Sequence, residues 1–175
     1  RAVFGVLCLT ALASLLLTAT VLPETLRPED RVPVNLRVLS RSAGILLRDG
    51  RFMGLTFIGA LGMGSFFVFI ASAPFVYTAQ YGLTPTGFSL AFAINAVGFF
   101  GASQIAGPLA DRLGLGRVIL MGTALFCGMT LLLALVTWGM GVGLAVLIGG
   151  LFLGNAGLGL VVPTTMVMAL DDHGR

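Results

Sequence analysis

Between Arg51 and Asp171 the sequence carries only three charged side chains, Asp111, Arg112 and Arg117. All three fall in one segment, Gly107-Pro108-Leu109-Ala110-Asp111-Arg112-Leu113-Gly114-Leu115-Gly116-Arg117, with long apolar runs on both sides. Asp and Arg each cost about 2.5 to 3.5 kcal/mol at the centre of an inserted helix. The segment therefore reads as a tight turn held at a bilayer surface, in its simplest form a polar hairpin between two spans. Catalysis finds little to work with. The sole histidine, His173, lies in a surface segment, Cys8 and Cys127 sit inside apolar runs, and no metal-ligand spacing is present. An intramembrane enzyme would need a nucleophile and base, or metal ligands, at depth, and no acid or base lies there.

Composition places the chain in the membrane. It is 57% hydrophobic and 10% charged, against about 25% charged residues in soluble domains. The net charge of +3 comes from arginine alone among the basic residues, and in such a chain that charge is a topology signal rather than a mark of nucleic-acid binding. The chain has no initiator methionine and ends just past an apolar run, so it reads as a fragment of a longer protein.

Five apolar runs can cross a hydrocarbon core of ~30 Å. The first covers residues 2–22, too long for the apolar core of a cleaved signal peptide, which is the competing reading. Residues 23–51 form the long polar connection and carry Arg27, Arg31, Arg37, Arg41, Arg48 and Arg51, which makes it cytoplasmic. Within it, Leu36, Leu39, Ala43, Leu46 and Leu47 share one helical side, with Arg37, Arg41 and Arg48 on another. This predicts an amphipathic helix along the membrane surface, with a solvated linker helix as the alternative. Further spans follow at 52–79, 87–110, 118–138 and 144–170. Pro74 is expected to kink the outer third of the second span, and Trp138 reads as an interfacial belt residue. Gly98, Ala102, Ala106 and Ala110 recur every four residues on the third span, and Gly150 and Gly154 form a G-x-x-x-G pair on the fifth; small residues so spaced let helices approach closely. Nine of the ten arginines then lie on the cytoplasmic side, with Arg1 the exception.

The pattern Gly107-x-Leu109-Ala110-Asp111-Arg112-x-Gly114 resembles the loop signature of the major facilitator superfamily of secondary transporters, and Pro23-Glu24-Thr25 resembles the end of the sixth helix in many of its drug transporters. Ala73-Pro74-Phe75-Val76, Tyr81-Gly82-Leu83-Thr84-Pro85 and Phe92-Ala93-Ile94-Asn95-Ala96 look like helices seven and eight of bicyclomycin/chloramphenicol-resistance (Bcr/CflA) type drug:proton antiporters. The resemblance covers nearly the whole chain. It implies an all-α membrane protein with about five of the twelve transmembrane helices of that fold. Residues 1–22 would be the last helix of the N-terminal half, 23–51 the link between halves, and 52–175 part of the C-terminal half.

The same resemblance implies secondary active transport by alternating access, exporting small amphipathic drugs in exchange for protons at a bacterial inner membrane. A metabolite transporter of the same superfamily, in either direction, stays open, as does a structural membrane protein without substrate. Gly107, Asp111, Arg112, Gly114 and Arg117 would form a cytoplasmic latch in which the carboxylate meets a helix N-terminus and an arginine. The sequence departs from the usual pattern at Leu115 and Gly116, where basic residues are expected, which would weaken that latch. The second and fifth spans, interrupted by glycine and proline, would line the cavity. This makes Ser65, Phe69, Ser72, Asn155 and Thr164 the candidates for substrate contact. Against that, Ser65, Ser72 and Thr164 can bond their own backbone, and Asn155 can join helices. Asn95 and Gln104 read as helix-joining residues. The implied partners are the lipid bilayer, a small-molecule substrate, a coupling proton and the remaining helices of the same chain, with no cofactor, metal or nucleic acid. Since no ionisable group lies in any span, the proton carrier would sit in the other half.

Overall fold

The computed structural model describes residues 2–21 and 35–171, without the side chains of residues 36–38, 42 and 140. Arg1, Pro23-Glu24-Thr25, Arg27, Arg31, the side chain of Arg37, His173 and Arg175 lie outside the described residues. Among those described, every regular element is helical: α1 (Ala2–Val21), α2 (Leu36–Arg48), α3 (Gly50–Phe75) continuing into a π-helical turn (Val76–Gln80), α4 (Pro85–Leu113), α5 (Leu115–Met140) and α6 (Leu144–Asp171). Five of these segments are long and apolar enough to cross a membrane. The chain divides into two compact units, residues 1–42 and 43–175.

In the first unit α1 buries no residue. Its threonine hydroxyls bond back within the helix: Thr10 donates to Val6 O at 3.0 Å, Thr18 to Ser14 O at 2.9 Å and Thr20 to Leu16 O at 2.7 Å. The helix thus presents an apolar exterior, as lipid or neighbouring helices require.

The second unit is organised on α6, which packs against α3, α4 and α5. Glycine allows the approach. A Cβ on Gly157 would lie 2.6 Å from the carbonyl oxygen of Gly122, and one on Gly122 would lie 2.7 Å from that of Gly157, so α5 and α6 cross backbone to backbone. A Cβ on Gly159 would strike the carbonyl of Phe99 on α4. Of the G-x-x-x-G pair, Gly150 faces the Leu133 side chain and Gly154 has only ordinary contact with Phe126; the tightest crossings lie one to two turns further on. On α4, Gly98, Ala102 and Ala106 are buried. Aromatic rings fill the space between α3 and α4: Phe66 stacks on Phe99 at 4.6 Å and Phe69 on Phe92 at 5.7 Å.

The helix ends follow local chemistry. Asp49 alone separates α2 from α3, its carboxylate accepting from Arg51 N at 2.8 Å and Phe52 N at 3.2 Å, which satisfies two orphan donors. Thr84 caps α4 through Gly87 N, with Pro85 in the first helical position, where its missing N–H costs nothing. Pro74 leaves the carbonyl of Ile70 without its usual donor, and the ladder loosens directly afterwards into the π-helical turn.

The expected turn at 107–117 is narrower than the sequence suggests. Helix α4 runs through Gly107 and Pro108 to Leu113, and Gly114 alone, at φ +86°, separates it from α5. Glycine and proline break helices in water, but within a membrane bundle the freed carbonyl of one proline is tolerated. The chain therefore turns only where a left-handed φ forces it.

Candidate functional site

A groove of about 950 Å³ opens between α3 and α5 over α6. Its wall on α3 and the π-helical turn that follows includes Ser65, Phe69, Ser72 and Tyr77, its α5 wall Phe126, Thr130 and Trp138, and its floor Gly150, Asn155 and Leu158. The surface is mainly apolar, and among the described residues no Asp, Glu, Lys, Arg or His lines it. Such a surface solvates a neutral amphiphile well and an ion poorly.

Four of the five residues expected on the substrate path line this groove: Ser65, Phe69, Ser72 and Asn155. The serine hydroxyls also bond back along their own helix, Ser65 to Leu61 O at 2.9 Å and Ser72 to Val68 O. Thr164 does not line the groove. It is buried on α6, with its hydroxyl donating to Val161 O at 3.1 Å and to Leu160 O, so its polarity is spent on its own backbone. Trp138 is 94% exposed and also lines the groove, although its position suggested only an interfacial belt.

Behind the wall runs a polar chain across three helical segments. Asn155 Nδ2 on α6 donates to Asn95 Oδ1 on α4 at 3.3 Å, and Asn95 Nδ2 donates to the Tyr77 hydroxyl at 3.2 Å and to Ala91 O at 2.9 Å. Tyr77 was not singled out from sequence as a polar partner. The available signal was Pro74, three residues earlier, which loosens the ladder there. Gln104, also on α4, is exposed and takes no part. Tyr81 ties the outer ends together, its hydroxyl donating to Val142 O at 2.7 Å in the turn between α5 and α6.

The charged segment sits apart from the groove. Asp111, Arg112 and Arg117 are exposed and form no hydrogen bond or ion pair among the described residues. The expected contact of Asp111 with a helix N-terminus and an arginine is not made there. Asp111 lies in the last turn of α4, the negative end of that helix dipole, which favours Arg112 and disfavours an acid.

A family profile described as Major Facilitator Superfamily matches residues 1–175. An uncharacterized MFS-type transporter, YdgK, of Bacillus subtilis is 31% identical over 174 residues, covering 99% of this chain and 43% of the relative. A bicyclomycin resistance protein homolog of Haemophilus influenzae is 28% identical over 155 residues, covering 85% of this chain and 39% of the relative. A chloramphenicol resistance protein of Pseudomonas aeruginosa is 36% identical over 76 residues, covering 43% of this chain and 18% of the relative. The chain thus spans less than half the length of each of these relatives. No solved structure matches it significantly.

Proposed function

Because the chain belongs to the Major Facilitator Superfamily, we propose that its groove is part of the substrate path of a secondary transporter that exports small amphipathic drugs. The observation that carries this reading is the groove itself: about 950 Å³, lined by Phe69, Phe126 and Trp138 with a few polar groups, and with no charged side chain among the described residues. That volume and polarity suit a drug-sized neutral molecule better than a sugar or a phosphate. Two relatives, named as a bicyclomycin resistance protein homolog and a chloramphenicol resistance protein, support the same class.

The transporter works by alternating access in the inner membrane of a bacterium, with proton antiport as the driving reaction. The coupling proton is carried by helices other than these. Asp111 and Arg112, at the end of α4, act as a latch whose partners belong to another part of the assembled transporter. Here the acid's unfavourable position at its own helix terminus supports a role beyond stability.

The test is accumulation of radiolabelled chloramphenicol in cells expressing the full-length protein, with and without a protonophore. The reading predicts low accumulation that rises when the proton gradient is collapsed. Accumulation equal to that of control cells, for chloramphenicol and for a panel of lipophilic dyes, would contradict it and point to a narrow metabolite transporter.

A further inference from the structure

The hydrogen bonds among Asn155, Asn95 and Tyr77 run in one direction, and that direction decides what is left for a ligand. An asparagine amide has one carbonyl oxygen and two N–H donors. At Asn95 the oxygen accepts from Asn155, and the nitrogen donates to Tyr77 and to Ala91 O. Asn95 is 1% exposed and does not line the groove. Its two side-chain partners do line it, and each keeps one unspent function. Asn155 has given its amide nitrogen to Asn95, and its carbonyl oxygen accepts no hydrogen bond among the described residues. Tyr77, 1% exposed like Asn95 but among the residues that line the groove, accepts through its oxygen and keeps its O–H proton. Asn155 is only 4% exposed, so its carbonyl is a nearly buried acceptor at the groove floor.

We propose that Asn95 is a positioning residue: it fixes Asn155 as an acceptor and Tyr77 as a donor, so that the groove selects neutral, largely apolar molecules carrying a hydroxyl or amide. This rests on the reading of the groove as a substrate path and names the class of molecule that path takes. A ligand O–H or N–H meets the Asn155 carbonyl, a ligand carbonyl or hydroxyl oxygen meets the Tyr77 proton, and the apolar body lies against Phe69, Phe126 and Trp138. If Asn95 is made apolar, the Asn155 amide is released to turn, and its NH₂ face can then present a donor to the groove. Selection for ligand donors is lost without loss of apolar contact. A site built around hydrogen bonding to a ligand rejects the analogue that lacks the matching group more sharply than an apolar pocket can.

Trp138 supplies the readout, because a nitrobenzene ring bound beside an indole quenches its fluorescence. The purified full-length protein is titrated with chloramphenicol, a neutral nitrobenzene derivative with two hydroxyls and an amide. A second titration uses its analogue methylated on both oxygens and on the amide nitrogen, which keeps the ring and the acceptors but has no donor. The Trp138→Phe variant identifies the signal from the groove.

The wild-type protein is expected to bind chloramphenicol about tenfold more tightly than the capped analogue. In Asn95→Leu that ratio falls to within about twofold while affinity for the capped analogue holds. Tyr77→Phe weakens both probes by a similar factor and keeps the ratio, because both retain acceptors; it carries the test if Asn95→Leu fails to fold. An unchanged ratio in Asn95→Leu, a parallel loss of both probes in that variant, a changed ratio in Tyr77→Phe, or no quenching of Trp138 by either probe would overturn the proposal. The assay needs no transport, so binding with this pattern in a protein that exports nothing would contradict the efflux reading alone. Export without the pattern would contradict the role of Asn95 alone.

Discussion

Asn155 on α6 and Asn95 on α4 are 60 residues apart in sequence, and their amides are joined by a hydrogen bond of 3.3 Å in an apolar interior. Such bonds contribute about 0.6 kcal/mol on average in membrane proteins, so this one alone does not hold the bundle together. Its larger consequence is orientation of the Asn155 amide at the groove floor. Asn155→Leu is expected to lower drug efflux about tenfold with normal membrane levels, whereas Thr164→Val, whose hydroxyl serves only its own helix, leaves efflux within about twofold. Efflux rates normalised to protein level check both.

Gly157 and Gly122 bring α6 and α5 into backbone contact, with a Gly157 Cβ placed 2.6 Å from the Gly122 oxygen. Neither backbone can move aside as a flexible side chain would. Gly157→Ala should destabilise the second unit by about 1–3 kcal/mol. Gly128→Ala, on the same α5 but with no described atom beyond its own helix turn within 4 Å of the added methyl, should not. Thermal unfolding of the two variants in detergent checks the contrast.

Tyr81 reaches from the end of the π-helical turn to Val142 O. Tyr81→Phe keeps the ring and removes the bond, at a cost of about 0.5–1.5 kcal/mol. The expected outcome is faster amide hydrogen exchange in the turn around Gly141 and Gly143 with little change in the core of α6.

Asp111 is exposed at the C-terminal end of α4, where an acid gains nothing from the helix dipole. Removing its charge should therefore leave folding intact. Asp111→Asn is expected to lower transport several-fold at unchanged membrane level, as measured by efflux and immunoblotting; a loss of protein level that accounts for the whole effect would make the residue structural.

The membrane helices were legible in the sequence because lipid demands long apolar runs, and each such run is written plainly between its polar ends. The amphipathic pattern of residues 36–48 likewise appears as α2. What the sequence hid was partner choice. Gly150 and Gly154 carry the familiar spacing, yet Gly157 and Gly159 make the closest approaches, because the crossing point depends on how α4, α5 and α6 stack and not on any one helix. Asn95 read as a residue that joins helices, but its link to both Asn155 and Tyr77 depends on three segments meeting. Pro108 and Gly107 looked like a turn by the rules of water, and the bundle absorbed them into α4. The groove was expected from the interrupted spans, but Trp138 joined it because α5, and not only α3 and α6, forms a wall.

The most direct test of the central claim, that the groove of Ser65, Phe69, Ser72 and Asn155 is the drug path, is substrate protection of a cysteine placed in it. In a full-length background with its native cysteines, including Cys8 and Cys127, replaced by serine, Ser72→Cys is treated with a maleimide in the presence and absence of chloramphenicol. The account predicts that Ser72→Cys labels readily and that chloramphenicol slows labelling in a saturable way, while Thr164→Cys, buried in α6, labels little under either condition. Labelling of Ser72→Cys that is indifferent to saturating chloramphenicol, in a protein that still exports it, would place the drug path elsewhere.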